Sequence, residues 1–280
     1  MKYDGIHAAR IIEKQNPDGA WGQFHSLSAS NRRDKQVTTE MALRRLQNLG
    51  FAMEDACIRR AVDYMDTCLR GQISIPDPRE KLHDWDAFTD MMLAAWIRRF
   101  TPDNPRANAV ADLWTRVIGA AFAGETCDQA AYADAFTQAL GHKPRGGRFV
   151  DFVSFYQVSI TTAMFDEVTD ARFVRHVLHH PQGIYYVYDR PLCVLPEVFA
   201  SKQTTRWLAA IDLLAEHPTA KAQLGFAADW LLQNRNPDGT WDLSPAAKDD
   251  ITLPLSDSWR KAEARIADCT AYIERVLAKI

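Results

Sequence analysis

The chain has 280 residues, 47% of them hydrophobic and 25% charged, which is enough apolar material for a sizeable core. A net charge of -3 leaves no basic footprint for nucleic acid or an anionic membrane surface, so neither is expected as a partner. The five cysteines (Cys57, Cys68, Cys127, Cys193, Cys269) are odd in number, scattered and never paired as Cys-x-x-Cys. That pattern argues against a disulfide framework or a structural zinc site and for a reducing compartment. The first fifteen residues carry no apolar signal-peptide core, and no later run is long enough to span a bilayer. The expected setting is therefore the cytoplasm.

Helical periodicity runs along almost the whole chain. An amphipathic N-terminal run ends in Gln15-Asn16-Pro17-Asp18-Gly19-Ala20-Trp21. In such a turn Pro presets φ, Gly accepts a positive φ, and the Trp can fold back on the helix end. Met53, Cys57, Ala61, Tyr64, Met65, Cys68 and Leu69 form an apolar stripe. Phe88, Met91, Met92, Ala95, Trp96 and Phe100 form the next, followed by Val110, Trp114, Val117, Ile118 and Ala121. Ala135, Phe136, Ala139 and Leu140 precede an aromatic stretch over 149–165. Residues 183–191 break the rule: Gly and Pro bound a β-branched and aromatic segment that reads as extended chain or a tucked loop. Helical spacing returns with Trp207, Leu208, Ile211 and Leu214, then with Leu224, Ala228, Leu231 and Leu232. That last run enters a second turn, Gln233-Asn234-Arg235-Asn236-Pro237-Asp238-Gly239-Thr240-Trp241. Trp259, Ala262, Ile266, Cys269, Ile273, Val276 and Ile280 mark the last helix. Prolines and glycines separate the runs, but no linker or low-complexity tract divides the chain, so residues 1–280 are read as one all-α domain.

The repeated Asn-Pro-Asp-Gly-x-Trp turn suggests equivalent helical hairpins. From Asn16 to Asn236 is 236 − 16 = 220 residues. With helical repeats of roughly 40–47 residues, five units fit that gap and a sixth fits the whole chain. Gln15 with Trp21 and Gln233 with Trp241 resemble the QW-type repeats of the terpenoid cyclase and protein prenyltransferase superfamily. In that family the Gln caps a helix and its amide stacks on the Trp ring. The resemblance covers these two short segments and the helical character between them. It implies an α/α toroid of about five to six hairpins around a central cavity, suited to a small, partly apolar, isoprenoid-like molecule. The string over 16–22 is also similar to α/α barrels of some polysaccharide lyases, which implies carbohydrate processing as the alternative.

The acid motif of the class II cyclases has its nearest string in Asp84-Trp85-Asp86-Ala87, which lacks the last carboxylate. Asp268-Cys269-Thr270-Ala271 resembles the acid motif of oxidosqualene cyclases over four letters. Against the zinc ligands of the prenyltransferases, Asp189 and Cys193 lack the expected spacing and a following His, so neither metal nor cofactor is expected.

Several constellations are weighed for chemistry. Tyr185, Tyr186 and Tyr188 form either an aromatic plug or the wall of a binding cavity, since three tyrosines in four residues all need hydroxyl partners. Asp86 and Asp90 stand at i and i+4 after His83 and Asp84, as first-turn capping groups or as a carboxylate pair sharing a proton. His176 and His180 share a helix face, for a metal or for the helix dipole. Lys143, Arg145 and Arg148 surround Gly146-Gly147 and either grip an anion or form a solvated loop. Ser256 or Asp257 is a natural N-cap for the last helix, with Trp259 and Arg260 just inside. Asp268 falls opposite the Ile266, Cys269 and Ile273 stripe, facing solvent on an outer helix or the cavity on an inner one. The expected site thus has Asp257, Asp268 and Asp86 as acids, with Tyr185, Tyr186, Tyr188, Trp259 and Arg260 around a small-molecule ligand. A non-catalytic helical scaffold for a protein partner is the third reading.

Overall fold

The computed structural model describes residues 2–25, 37–80, 84–145 and 153–280. Among these residues there are eleven α-helices and no strand. In chain order they are α1 (Ile6–Ile12), α2 (Thr39–Asn48), α3 (Ala56–Leu69), α4 (Trp85–Phe100), α5 (Pro105–Ala120) and α6 (Gln129–Leu140). Then follow α7 (Phe155–Ile160), α8 (Glu167–His179), α9 (Lys202–Leu214), α10 (Gly225–Gln233) and α11 (Ala262–Leu277).

Local chemistry sets most of the helix starts. Thr38, Asn104, Asp128, Asp166 and Ser201 each place a side-chain oxygen on first-turn N–H groups, of α2, α5, α6, α8 and α9 respectively. Ser154 and Gln157 form a reciprocal capping box on α7. The helices α3 to α6 pack each against the next. Helix α7 lies against α4, α5 and α9, and all six of its residues are buried. Helix α11 packs on α9, and α1 on α2.

The two Asn-Pro-Asp-Gly-x-Trp corners are the same object. Asn16 N–H donates to the Ala20 carbonyl at 2.8 Å, and Asn236 N–H to the Thr240 carbonyl at 2.8 Å. Asp18 and Asp238 each accept from the N–H two residues on, at 3.0 Å. Each indole N–H donates at 2.7 Å to the carbonyl ten residues back, Ile11 for Trp21 and Leu231 for Trp241. Each Trp backbone N–H then reaches a threonine hydroxyl on another helix, Thr39 at 2.9 Å and Thr270 at 3.0 Å. The corner thus ties its own helix to a second one.

The glutamine half of the pattern needs correction at the second corner. Counted back from the Asn, the partner of Gln15 is Arg235, because Asn234 and Arg235 push Gln233 back to the exposed last position of α10. Gln15 donates to the Gly19 and Cys57 carbonyls at 2.9 and 2.8 Å. Arg235 donates to the Gly239 carbonyl at 2.8 Å, and its guanidinium lies 5.1 Å from the Trp241 ring centre. A planar guanidinium does both jobs expected of the amide, feeding the turn carbonyl and covering the indole.

The two ends of the chain meet. Tyr3 N–H donates to the Leu49 carbonyl at 2.8 Å, beside the end of α2. Buried Arg45 of α2 donates to the carbonyls of Ile251, Thr252 and Pro254. Arg275 of α11 reaches the Asn48 carbonyl at 3.4 Å. Residues 254–260 do not open the last helix as expected, since α11 begins at Ala262. Asp257 instead caps α1 across 251 residues of sequence, accepting from Ile6 N–H at 2.7 Å.

Candidate functional site

A cavity of about 470 Å³ opens between α2, α9, the tyrosine segment and the loop around 249–252. Helix α9 turns one face to it, with Arg206, Ala209, Asp212 and Leu213, and Glu216 continues that line beyond the helix. Helix α2 adds Arg44, Gln47 and Asn48. Arg99 from α4, Phe155 from α7 and Tyr272 from α11 complete the walls, with Tyr185, Tyr186, Tyr188 and Asp189 on one side.

The tyrosine segment is a tucked loop with two isolated bridges, Ser154 with Tyr185 and Ile184 with Tyr188. Ile184 and Tyr188 exchange backbone hydrogen bonds at 2.9 Å in both directions. Closing so tight a loop puts Tyr186 at a φ of 72°, a left-handed conformation that is strained for a tyrosine. Arg44 compensates by donating to the Tyr186 carbonyl at 2.9 Å. Its guanidinium also meets Glu40 at 3.2 Å and lies 4.5 Å from the Phe155 ring centre. Glu40 is fully buried and accepts the Tyr156 hydroxyl proton at 2.7 Å. Burial, reinforced by the Glu40 charge, pushes the Tyr156 hydroxyl well above its ordinary pKa, so it stays a donor.

The charges on the walls are mostly matched. Arg99 holds Glu216 with two bonds of 2.9 Å and also donates to Gln47 at 3.0 Å and Ser159 at 3.2 Å. Asp212 receives Lys279 at 2.6 Å and Arg275 at 3.7 Å. Asp249 accepts the backbone N–H groups of Ile251, Thr252 and Leu253 at 3.1, 2.8 and 3.0 Å. The Tyr188 hydroxyl accepts from Gln203 at 3.1 Å. Arg206 and Asp189 are exposed, and neither has an ion-pair partner among the described residues.

Of the residues singled out in the sequence, Tyr185, Tyr186 and Tyr188 line this cavity, while Asp86, Asp257, Asp268, Trp259 and Arg260 stand outside it. Asp268 points neither to solvent nor to the cavity. It is 2% exposed, and one of its oxygens takes Leu255 N–H, Ser256 N–H, the Ser256 hydroxyl and the Trp259 indole at 2.9, 2.9, 2.7 and 2.7 Å. The buried arc of α11 is wider than the stripe read from the sequence and includes Asp268 and Tyr272 beside Cys269, Ile273 and Val276. Asp86 is exposed and pairs with Arg79 at 2.7 Å. The carboxyl of its neighbour Asp90 is pushed up by burial first and by the Asp86 charge second. Arg260 is exposed.

Arg145 donates its backbone N–H to Asp84 at 3.2 Å. His83, Gly146, Gly147 and Arg148 lie outside the described residues. The His176 and His180 rings are 5.5 Å apart, and no group of three metal-ligating side chains occurs among the described residues. Burial pushes the thiols of Cys68 and Cys269 up to about 11, which makes them poor nucleophiles.

The cavity's cations and acids were not picked out by sequence reasoning. The signal for α9 was present, since positions 206, 209, 213 and 216 share one helical face. For Arg44 and Arg99 the deciding neighbours are Glu40, Gln47 and Glu216, and helical spacing relates only some of them. Comparison with protein-family models, with curated proteins and with solved structures finds no match for this chain.

Proposed function

We propose that the protein binds a small, hydroxyl-rich molecule of carbohydrate character in the cavity beside Tyr185–Tyr188, at the centre of a ring of helical hairpins. The observation that carries this reading is the make-up of the walls, where aromatic faces alternate with Arg44, Arg99, Arg206, Asp189, Asp212, Glu216 and Asp249. A volume of about 470 Å³ falls in the ~300–1,000 Å³ range of small-molecule sites. An isoprenoid chain would strip water from these charges and return no hydrogen bonds, which disfavours the apolar ligand of the family resemblance. A sugar satisfies donors and acceptors at its edge and offers an apolar face to the tyrosines.

The ring rests on the meeting of the chain ends and on the convergence of α2, α4, α7, α9 and α11 at one cavity. The twin corners support an architectural kinship with the α/α toroids, and architecture alone does not carry chemistry. Binding is better supported than catalysis. Asp212, Glu216 and Asp249 already accept from cations or backbone amides, which engages the oxygens that acid–base chemistry would use. A cytoplasmic setting stays part of the proposal, supported by five free cysteines.

Isothermal titration with glucose, cellobiose and farnesol tests this reading. Both sugars should bind and farnesol should not, and Tyr185→Ala should weaken the sugars roughly fivefold, the equivalent of ~1 kcal/mol of stacking. Farnesol binding without the sugars would restore the isoprenoid reading.

A further inference from the structure

We infer that the ligand of this cavity carries an anionic group, a carboxylate or a phosphate, that Arg206 receives. The inference rests on the small-molecule reading above and adds the ligand's charge to it. Arg206 stands on the cavity face of α9, one turn before Ala209, whose single methyl leaves room beside the guanidinium. The other cavity arginines are occupied. Arg44 is held by Glu40 and the Tyr186 carbonyl, and Arg99 is locked by both oxygens of Glu216. The acids that might have neutralised Arg206 are spent elsewhere, Asp212 on Lys279 and Asp249 on three backbone amides. Arg206 is thus the cavity arginine with no carboxylate within ion-pair distance among the described residues. Its five N–H donors form a rigid fork that fits two oxygens of one carboxylate or phosphate. Asp189, which also has no ion-pair partner among the described residues, lies beside the tyrosines, where its charge would repel an anion and its oxygens could accept ligand hydroxyls.

Three probes identical but for the charged group test this: glucose, glucuronate and glucose 6-phosphate, titrated calorimetrically at low ionic strength, where charge is least screened. At least one charged sugar should bind about tenfold tighter than glucose, as one charge-assisted fork provides. The tighter of the two identifies carboxylate or phosphate as the source. Arg206→Gln should erase that preference, so that within this variant the charged sugars bind no tighter than glucose, and Arg206→Lys should keep part of it. The residue is exposed, so equal melting temperatures for the variants and the native chain control for folding. If glucose binds as well as both charged sugars, or if Arg206→Gln keeps the preference, the anion seat is refuted and the sugar reading survives. If no sugar binds but inorganic phosphate raises the melting temperature in the native chain and not in Arg206→Gln, the sugar reading fails and the anion seat stands. Silence from all four probes overturns both.

Discussion

A methyl group added at Gly19 would press into the backbone carbonyl of Arg60 on α3, and Gly19 already has a φ of 99°. Neither the carbonyl nor the turn has room to give. At the equivalent Gly239, φ is 87°, but the nearest group is the movable end of Arg235, 3.0 Å away. Two glycines in one motif therefore have different tolerances. Gly239→Ala should cost about 1–2 kcal/mol, the ordinary strain of a left-handed alanine. Gly19→Ala should cost more than about 2 kcal/mol, because backbone overlap adds to that strain. Thermal unfolding of the two variants checks the order, and equal losses would mean that the Arg60 carbonyl moves aside for the added methyl. The same scale explains Tyr186, whose unfavourable φ is held by Arg44 from α2.

At the scale of elements, Asp268 works as an anchor. A single carboxylate oxygen on α11 gathers four donors from residues 255–259 and so straps that irregular segment across the helix. The same strap presents Asp257 to the start of α1, which has no cap from its own side chains. Asp268→Ala strands those donors and should cost about 3 kcal/mol. Denaturant titration measures the loss. Limited proteolysis should find new cleavage within 254–260, because local opening exposes a segment that has lost its anchor. Unchanged proteolysis in Asp268→Ala would show that the segment is held by its apolar contacts instead.

At the scale of the molecule, one buried node joins three helical regions. Asp170 of α8 meets His217 Nδ1 at 2.7 Å and takes the Thr219 N–H and hydroxyl at 3.0 and 2.6 Å. His217 Nε2 lies 2.9 Å from the Val158 carbonyl of α7. Both ring nitrogens therefore face acceptors. Burial alone would raise the Asp170 carboxyl, but the bonds from His217 and Thr219 overcome it and hold it below its usual value. A carboxylate depressed by folding contributes stability that is present above the unfolded value of about 4 and lost as pH falls through the folded value. Urea unfolding followed from about pH 7 to about pH 3 should show that loss. Asp170→Asn should be less stable at neutral pH and flatter over the acid limb, and an acid limb as steep as the native one would locate the sensitive group elsewhere.

The corners, most helical spans and the tucked loop over 183–191 were legible in the sequence because each depends on residues close along the chain. Pro, Asp, Gly and Trp at fixed offsets build the same hydrogen-bonded turn wherever they occur, as Asn16–Trp21 and Asn236–Trp241 demonstrate. Partners far apart were not legible. Asp257 and Ile6, or Arg99 and Glu216, meet only after folding. No periodicity records whether a carboxylate such as Asp268 will face water, a ligand or a strap. Tertiary structure alone decided which charges were neutralised inside the protein and which, like Arg206, were left facing the cavity.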